Sequence, residues 1–306
     1  MRHGPRVEVR RRVTVRWKLA ARETREQVAP VRIPIGPGAM HVERYGFGDR
    51  PVVLLHGFCT SAFLWRGVAP ALPLGRVTVF APDLFGWGES DRAVDAEYGV
   101  RAQSEYLDRA LTVLRVAHAD VVAVDLGCAI ALELAARRPA RIRSLVLLNP
   151  SDPAALRGAD FAELRRLAAR HLLDASRAML GAATLLGPIL ERSVADPATM
   201  PSELVARYAA PFVGREGVAH LMQVERAVND QALAGVQWER IAAPALVLRG
   251  DADTWVPPGV AASLFSRLPR ASYRNLARVA RLMPEDAPAE LVELIRSWID
   301  REAADQ

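Results

Sequence analysis

Short apolar runs alternate along the chain with longer segments in which apolar residues recur every three or four positions. Most short runs are rich in β-branched residues and bounded by Gly, Pro or Asp, which is typical of strands, whereas the longer spacing is typical of helices. The predicted strands cover residues 31–35, 40–45, 51–56, 76–81, 120–124, 143–148, 244–248 and 272–276. The predicted helices cover residues 61–72, 101–116, 127–138, 260–268 and 289–303. This alternation predicts an α/β fold with a mostly parallel, doubly wound sheet that begins with short hairpin strands.

A long segment without predicted strands separates the sixth strand from the seventh. It covers residues 153–238 and has helical spacing of apolar residues at 161–180 and 203–209. Because connections inside a compact domain are usually short, this length predicts an inserted helical lid. The chain is thereby divided into a basic N-terminal extension (1–30), a core (31–152 and 239–306) and a lid (153–238).

The composition is that of a globular protein with a large core. The chain has 306 residues, of which 51% are hydrophobic and 25% are charged. That length can bury one large α/β core together with an inserted subdomain. The longest apolar stretch, residues 179–190, is too short for a membrane span and contains Gly181, Gly187 and Pro188.

The net charge of +5 is concentrated in the N-terminal extension. Residues 1–30 contain nine Arg or Lys residues and three Glu, a net charge of +6, so the rest of the chain sums to −1. Such an arm could contact an anionic membrane surface or nucleic acid. The alternation of Val13, Val15 and Trp17 with charged residues favours a solvated surface strand instead. We therefore expect no nucleic-acid partner, and contact with a membrane surface through this arm remains an alternative.

The two cysteines, Cys59 and Cys128, are too few for a disulfide framework. No secretory signal precedes the predicted core, so we expect a cytoplasmic protein. Nothing in the spacing of His, Cys, Asp and Glu suggests a metal cluster, and no phosphate loop or dinucleotide fingerprint occurs, so we expect no cofactor. The pattern leaves the oligomeric state open.

Five short motifs follow the predicted strands in order. Residues 51–58 read PVVLLHGF, residues 83–90 read DLFGWGES and residues 123–128 read AVDLGC. Residues 250–257 read GDADTWVP and residues 280–288 read ARLMPEDAP. This series resembles the α/β-hydrolase superfamily, from about residue 31 to the C-terminus. The five motifs resemble its His-Gly oxyanion loop, its Asp-x-x-Gly-x-Gly-x-Ser turn, its nucleophile elbow, its acid turn and its histidine-bearing stretch.

The resemblance implies roles for five residues. Asp125 stands at the nucleophile position of the elbow, where Asp tolerates the positive φ that the sharp strand-to-helix turn requires. Asp253 stands at the position of the triad acid, and Arg281 stands where the family carries its catalytic histidine. The backbone N–H groups of Phe58 and Leu126 correspond to the oxyanion hole. An arginine has no acceptor lone pair, so Arg281 cannot act as a general base.

An aspartate at the elbow resembles haloalkane dehalogenases, fluoroacetate dehalogenases and epoxide hydrolases, whose carboxylate attacks carbon to give an alkyl-enzyme ester. Three positions depart from those patterns. Leu126 stands where dehalogenases have Trp, and Phe58 stands where they commonly have Asn. Cys59 stands where epoxide hydrolases usually have Pro. With Arg281 in the histidine position, an unmodified Asp-based cycle should stop after one turnover.

Three functions are compatible with these residues. The first is a repurposed lyase, isomerase or cyclase acting on an apolar small molecule, with Asp125 moving a proton and Arg281 stabilising an oxyanion. The second is an inactive binding or scaffold protein held shut by an Asp125–Arg281–Asp253 cluster. The third is an Asp-nucleophile hydrolase with a base that the motifs do not reveal. The apolar residues Met179, Leu180, Leu185, Leu186, Ile189 and Leu190 of the predicted lid suit an apolar substrate or ordinary helix packing.

Other nucleophiles and bases carry weaker signals. His56 is the structural residue of the His-Gly turn, while His171 and His220 belong to the predicted lid, where a surface or core role is the simpler interpretation. Cys59 and Cys128 flank the expected site, and small buried apolar residues describe them better than thiol nucleophiles do.

Overall fold

An eight-stranded sheet forms the centre of the molecule, in a computed structural model that describes residues 27–73, 75–151, 181–228 and 233–304. The spatial order is β1-β2-β4-β3-β5-β6-β7-β8. The β1–β2 and β2–β4 pairs are antiparallel and the other five pairs are parallel. The strands are β1 Gln27–Pro34, β2 Ala39–Tyr45, β3 Arg50–Leu55, β4 Val77–Pro82, β5 Ala119–Val124, β6 Ile142–Leu148, β7 Ala245–Gly250 and β8 Ala271–Leu276. This arrangement confirms the predicted mostly parallel α/β fold with hairpin strands at its start.

The central strands are apolar on both faces because helices cover the sheet on either side. Every residue of β4, β5 and β7 is buried, whereas the edge strand β8 alternates between more and less exposed positions. Continuous apolar runs are what parallel strands between two helical layers require. β1 begins at Gln27, so residues 27–30 of the predicted extension belong to the sheet, and residues 1–26 lie outside the described residues.

The helices are α1 Val100–Val113, α2 Leu126–Arg137, α3 Gly181–Glu191, α4 Ser202–Ala209, α5 Gly214–Ala227, α6 Pro258–Ser266, α7 Met283–Asp286 and α8 Pro288–Ala304. Four of the five helices predicted in the core agree with the structure to within a few residues, as α1, α2, α6 and α8, and the fifth does not. The helix predicted over 61–72 is wrong: two 3₁₀ helices, Ala62–Gly67 and Ala69–Ala71, occupy the segment. Gly67 and Pro70 explain the break, because glycine weakens a helix and proline removes a backbone donor. Within the part of the chain that the structure describes, no helix is both long and apolar enough to cross a membrane.

The insertion between β6 and β7 is helical where it is described. α3 packs against both α4 and α5, and Leu186 and Leu190 of α3 are fully buried. The predicted helix at 203–209 is confirmed as α4, with its start one residue earlier. The predicted helix at 161–180, with Met179 and Leu180, lies outside the described residues. Whether this insertion acts as a lid remains a prediction.

Candidate active site

The turn between β5 and α2 presents Asp125 at the carboxyl edge of the sheet. Its backbone has φ 53° and ψ −113°, a strained combination for a residue with a side chain. A Cβ at Gly127 would lie 2.7 Å from the carbonyl oxygen of His56, and a Cβ at Gly57 would lie 2.9 Å from Oδ2 of Asp125. The two glycines therefore let the oxyanion loop approach the elbow as closely as it does.

The Asp125 carboxylate is held from three sides. The backbone N–H of Phe58 donates to Oδ2 over 3.1 Å, and the hydroxyl of Ser151 donates to Oδ1 over 2.8 Å. Nη2 of Arg281 donates to Oδ2 and forms an ion pair with it. Among the described residues, Leu126 donates no hydrogen bond to this carboxylate, so of the two predicted oxyanion donors only Phe58 contacts Asp125.

Arg281 lies in the turn between β8 and α7, with its whole side chain buried. Besides Asp125, its guanidinium donates from Nη1 to Oγ of Ser193 over 3.2 Å and from Nη2 to the carbonyl oxygen of Phe58 over 3.4 Å. Its Cζ lies 5.0 Å from the ring centroid of Trp255, a cation–π distance. Burial alone would lower the pKa of Arg281, but the charge and hydrogen bond of Asp125 outweigh burial and raise it. The group is therefore a permanent cation.

Asp253 follows β7 and is held by the backbone of its own turn. Its Oδ1 accepts from the N–H groups of Trp255 over 2.8 Å and Val256 over 3.3 Å. Burial raises the pKa of Asp253, while these N–H groups and the charge of Arg281 oppose the rise. No nitrogen of Arg281 comes within 4.0 Å of an Asp253 oxygen, so the two form no ion pair. The predicted cluster of two carboxylates on one guanidinium is corrected to a single Asp125–Arg281 pair beside Asp253.

Three further polar residues belong to this site, and the motifs did not reveal them. Asn149, with φ 43°, donates from Nδ2 to the carbonyl oxygens of Ala280 over 2.7 Å and Arg281 over 3.2 Å. Its Oδ1 accepts from the N–H of Gly250 over 2.8 Å, so this side chain ties the Arg281 turn to β7. Ser151, like Asn149, lies just beyond the carboxyl end of β6, the edge where Asp125 also lies. Asn149 and Ser151 could have been found from the sequence, because polar residues directly after a buried strand lie at this edge of the sheet. No such signal marks Ser193, just beyond α3.

The described histidines do not bond to the three charged residues. Nε2 of His56 accepts from the N–H of Leu84 over 2.9 Å, so Nδ1 carries the hydrogen and donates to the carbonyl oxygen of Gly57 over 2.8 Å. Burial lowers the pKa of His56 to about 4, which keeps it neutral. His220 of α5 bonds through Nε2 to the carbonyl oxygen of Gly86 over 2.7 Å. His171 lies outside the described residues.

Both cysteines are buried, and burial raises the pKa of each thiol above its ordinary value. Cys128 donates from Sγ to the carbonyl oxygen of Ala123 over 3.1 Å. A neutral thiol is a weak nucleophile, so the structure favours the interpretation of both as small apolar residues.

The charged centre is closed to solvent. Asp125 and Arg281 have no exposed surface, and Phe58 and Leu126 are each 2% exposed. A cavity of about 510 Å³ opens elsewhere, between β2, the residues after the oxyanion loop and the inserted helices. Its lining includes His41, Phe63, Arg66, Asp83 and Arg207, and none of the three central charged residues.

Comparisons with known proteins agree with this architecture. Residues 50–287 match the alpha/beta hydrolase fold family. A haloalkane dehalogenase from Mesorhizobium japonicum is 31% identical over 292 residues, which cover 89% of this chain and 92% of that protein. A haloalkane dehalogenase from Mycobacterium marinum is also 31% identical, with 85% and 88% of the two chains covered.

The three-dimensional comparison also includes a haloalkane dehalogenase. The crystal structure of haloalkane dehalogenase DbeA from Bradyrhizobium elkani superposes with a TM-score of 0.76 at 26% identity, covering 91% of this chain and 99% of that one. The sheet order, the elbow and the family match over most of the length lead to one conclusion. The chain belongs to the alpha/beta hydrolase fold family.

Proposed function

We propose that the protein transfers the alkyl group of a small apolar electrophile, an alkyl halide or an epoxide, to the carboxylate of Asp125. The observation that carries the proposal is the position of Asp125 at a strained elbow, with the N–H of Phe58 on Oδ2 and the hydroxyl of Ser151 on Oδ1. A carboxylate held by these two donors keeps a lone pair available on Oδ1. That is what displacement at carbon requires.

The two carboxylate oxygens then have different roles. Oδ2 already accepts from Phe58 and Arg281, whereas Oδ1 accepts only from Ser151 among the described residues. In the proposed reaction Oδ1 forms the bond to carbon, and the carbon–halogen bond breaks with both electrons leaving on halide. With an epoxide, the ring carbon–oxygen bond breaks instead, and the resulting alkoxide takes a proton from water. Oδ2 becomes the carbonyl oxygen of the ester and keeps its bond to Phe58.

The relatives favour this proposal over proton transfer. Both curated relatives described above are haloalkane dehalogenases, and so is the superposed crystal structure. Nothing comparable supports a lyase, isomerase or cyclase. In this interpretation Arg281 stands in the position of the family's histidine and balances the charge of Asp125, and the segment inserted between β6 and β7 serves as the lid.

One observation favours a second candidate, a binding or scaffold protein without catalysis. The Asp125–Arg281 pair is buried completely, and the guanidinium also bonds to Ser193 at the end of α3. A pair of this kind can hold an insertion against a core without any chemistry. The experiment below separates the two candidates, since only a reacting carboxylate changes its mass.

The test is covalent capture. The protein is incubated with short 1-bromoalkanes and terminal epoxides, and free bromide and the intact mass are followed. We expect one alkyl group per chain, mapped by peptide mass spectrometry to Asp125. The double variant Asp125→Asn/Arg281→Met removes the nucleophile and its cation together and should neither gain mass nor release bromide. If the native protein neither gains mass nor releases bromide or diol across the panel, the scaffold candidate replaces the proposal.

A further inference from the structure

Two polar atoms at the candidate site lack hydrogen-bond partners among the described residues. They are Nε of Arg281 and Oδ2 of Asp253. Arg281 is 0% exposed and Asp253 is 6% exposed, so bulk solvent does not satisfy either atom. A buried donor or acceptor left unpaired destabilises the fold, and more so when the group is charged. A single partner that accepts from Nε of Arg281 and donates to Oδ2 of Asp253 would satisfy both atoms.

The position of Trp255 brings the two side chains together. The ring of Trp255 lies under the guanidinium, with 5.0 Å between Cζ of Arg281 and the ring centroid. The backbone N–H of the same tryptophan donates to Oδ1 of Asp253 over 2.8 Å, which leaves Oδ2 as the other oxygen of that carboxylate. The two charged groups thus share one neighbour but do not approach within 4.0 Å of each other. A separation above direct contact, with a donor on one side and an acceptor on the other, suits a bridging water.

We propose that a water molecule binds between Nε of Arg281 and Oδ2 of Asp253, and that Asp253 is the base that activates it for hydrolysis of the Asp125 ester. The catalytic part rests on the alkyl transfer proposed above. The N–H of Arg281 donates to the water oxygen and orients it. Oδ2 of Asp253 accepts one of the water hydrogens. Arg281 then positions the water without accepting a proton, which its chemistry does not permit.

The step balances with the groups present. The water oxygen forms a bond to Cγ of the Asp125 ester while Asp253 takes one proton. The resulting oxyanion on Oδ2 is stabilised by the N–H of Phe58 and by the guanidinium, the two donors that hold Oδ2 in the free protein. The bond between Cγ and the alkyl oxygen breaks, and the leaving alkoxide takes the proton from Asp253. The new acid group of Asp125 ionises and releases its proton to solvent.

The environment of Asp253 suits a base. Burial raises the pKa of Asp253, so its carboxylate binds a proton more readily than a solvated one does. Its turn also holds the side chain firmly, through the N–H groups of Trp255 and Val256 on Oδ1. Oδ1 therefore anchors the turn, and Oδ2 is the oxygen that can accept the proton of water.

The experiment follows one alkyl group through a single turnover in water labelled with ¹⁸O. The protein is loaded with a short 1-bromoalkane, and release of the alcohol and the mass of the Asp125 peptide are measured. We expect the native protein to release the alkyl group and to gain one ¹⁸O at Asp125. Asp253→Asn keeps an acceptor for the turn but has no basic oxygen, so the adduct should form and its release should slow at least 100-fold. Asp251→Asn, two residues away and exposed, is the matched control and should behave like the native protein.

The outcomes separate the two proposals. If the adduct forms but leaves Asp253→Asn as fast as the native protein, or never leaves the native protein, the water-activating role of Asp253 is overturned while alkyl transfer stands. If no adduct forms in any variant, alkyl transfer fails. A high-resolution crystal structure then decides the water site without any substrate: ordered density within hydrogen-bond distance of both atoms supports it. A direct contact between Arg281 and Asp253, or a gap without density, overturns it.

Discussion

Nη2 of Arg281 donates to Oδ2 of Asp125, and neither side chain has any exposed surface. Removing two charges from water is costly, and a buried pair recovers that cost only through close contact and additional hydrogen bonds. Both conditions are met here. Ser151 and Phe58 satisfy the carboxylate, and Ser193 satisfies one end of the guanidinium. The pair is therefore expected to be sensitive to the loss of either partner.

The substitution Arg281→Met leaves the Asp125 carboxylate buried without its cation. We expect the free energy of unfolding to fall by about 3–5 kcal/mol, the usual cost of breaking one side of a buried pair. The measurement is the urea unfolding midpoint. Arg270→Met, at an exposed position on the approach to β8, is the control and should change the free energy by less than about 0.5 kcal/mol. A loss in Arg281→Met no larger than in this control would mean that the ion pair is not formed in solution.

The substitution Arg281→His introduces an imidazole beside Asp125 and Asp253. A histidine there can take a proton from water, which arginine cannot do. After loading with a 1-bromoalkane, we expect this variant to release the alkyl group at least about 10-fold faster than the native protein, because a positioned base usually accelerates such a step more than that. Rapid-quench measurement of the alcohol tests this. Release no faster than in the native protein would mean that position 281 does not reach the ester.

The buried thiols should not react in the folded protein. Burial raises the pKa of both Cys59 and Cys128, so little thiolate is present at neutral pH. We expect negligible labelling by a disulfide reagent such as DTNB under native conditions and two thiols per chain in urea. Hydrolysis of a nitrophenyl ester should also stay at background. Robust ester hydrolysis that disappears in Cys59→Ala or Cys128→Ala would identify a thiol nucleophile instead.

His56 should make the protein less stable in mild acid. Its pKa is lowered from 6.5 to about 4 by burial, so between these values the unfolded chain binds a proton that the folded chain does not. The contribution of neutral His56 to the free energy of unfolding is fully present above pH 6.5. It falls by about 3 kcal/mol as the pH drops towards 4. The stability gap between the native protein and His56→Gln should therefore narrow over this range in urea titrations. His118→Gln, at an exposed position, is the control for the substitution itself.

The elbow should not accept a side chain at Gly127. A Cβ there would lie 2.7 Å from the carbonyl oxygen of His56 and 2.8 Å from that of Leu55, and backbone atoms cannot easily move aside. We expect Gly127→Ala to lower the melting temperature by several degrees, in line with about 1–3 kcal/mol of strain. Gly259→Ala in α6 is the control, because nothing lies within 4 Å of its Cβ position. That change should be neutral or slightly stabilising. Equal melting temperatures for the two variants would contradict the close approach at the elbow.

The fold could be predicted from the sequence because its signals are local. All eight strands appear close to where the sequence predicted them, and the central ones were the clearest, since a strand buried on both faces must be apolar along its length. The prediction of one helix over 61–72 was wrong because the spacing of apolar residues takes no account of the missing N–H of Pro70 or the flexibility of Gly67. The positions of Asp125, Asp253 and Arg281 followed from motif spacing, and the carboxyl edge of the sheet brings them close together.

The order of the elements and the identity of the charged residues at the strand ends can therefore be read from the amino-acid sequence. How those residues pair depends on the folded structure. Arg281 bonds to Asp125 and leaves Asp253 apart, and Asn149, Ser151 and Ser193 join the site from other segments. Hydrogen-bond partners depend on differences of a few tenths of an ångström in the distances between segments that are up to 223 residues apart along the chain. Periodicity and spacing do not encode such distances, which packing of the whole core sets.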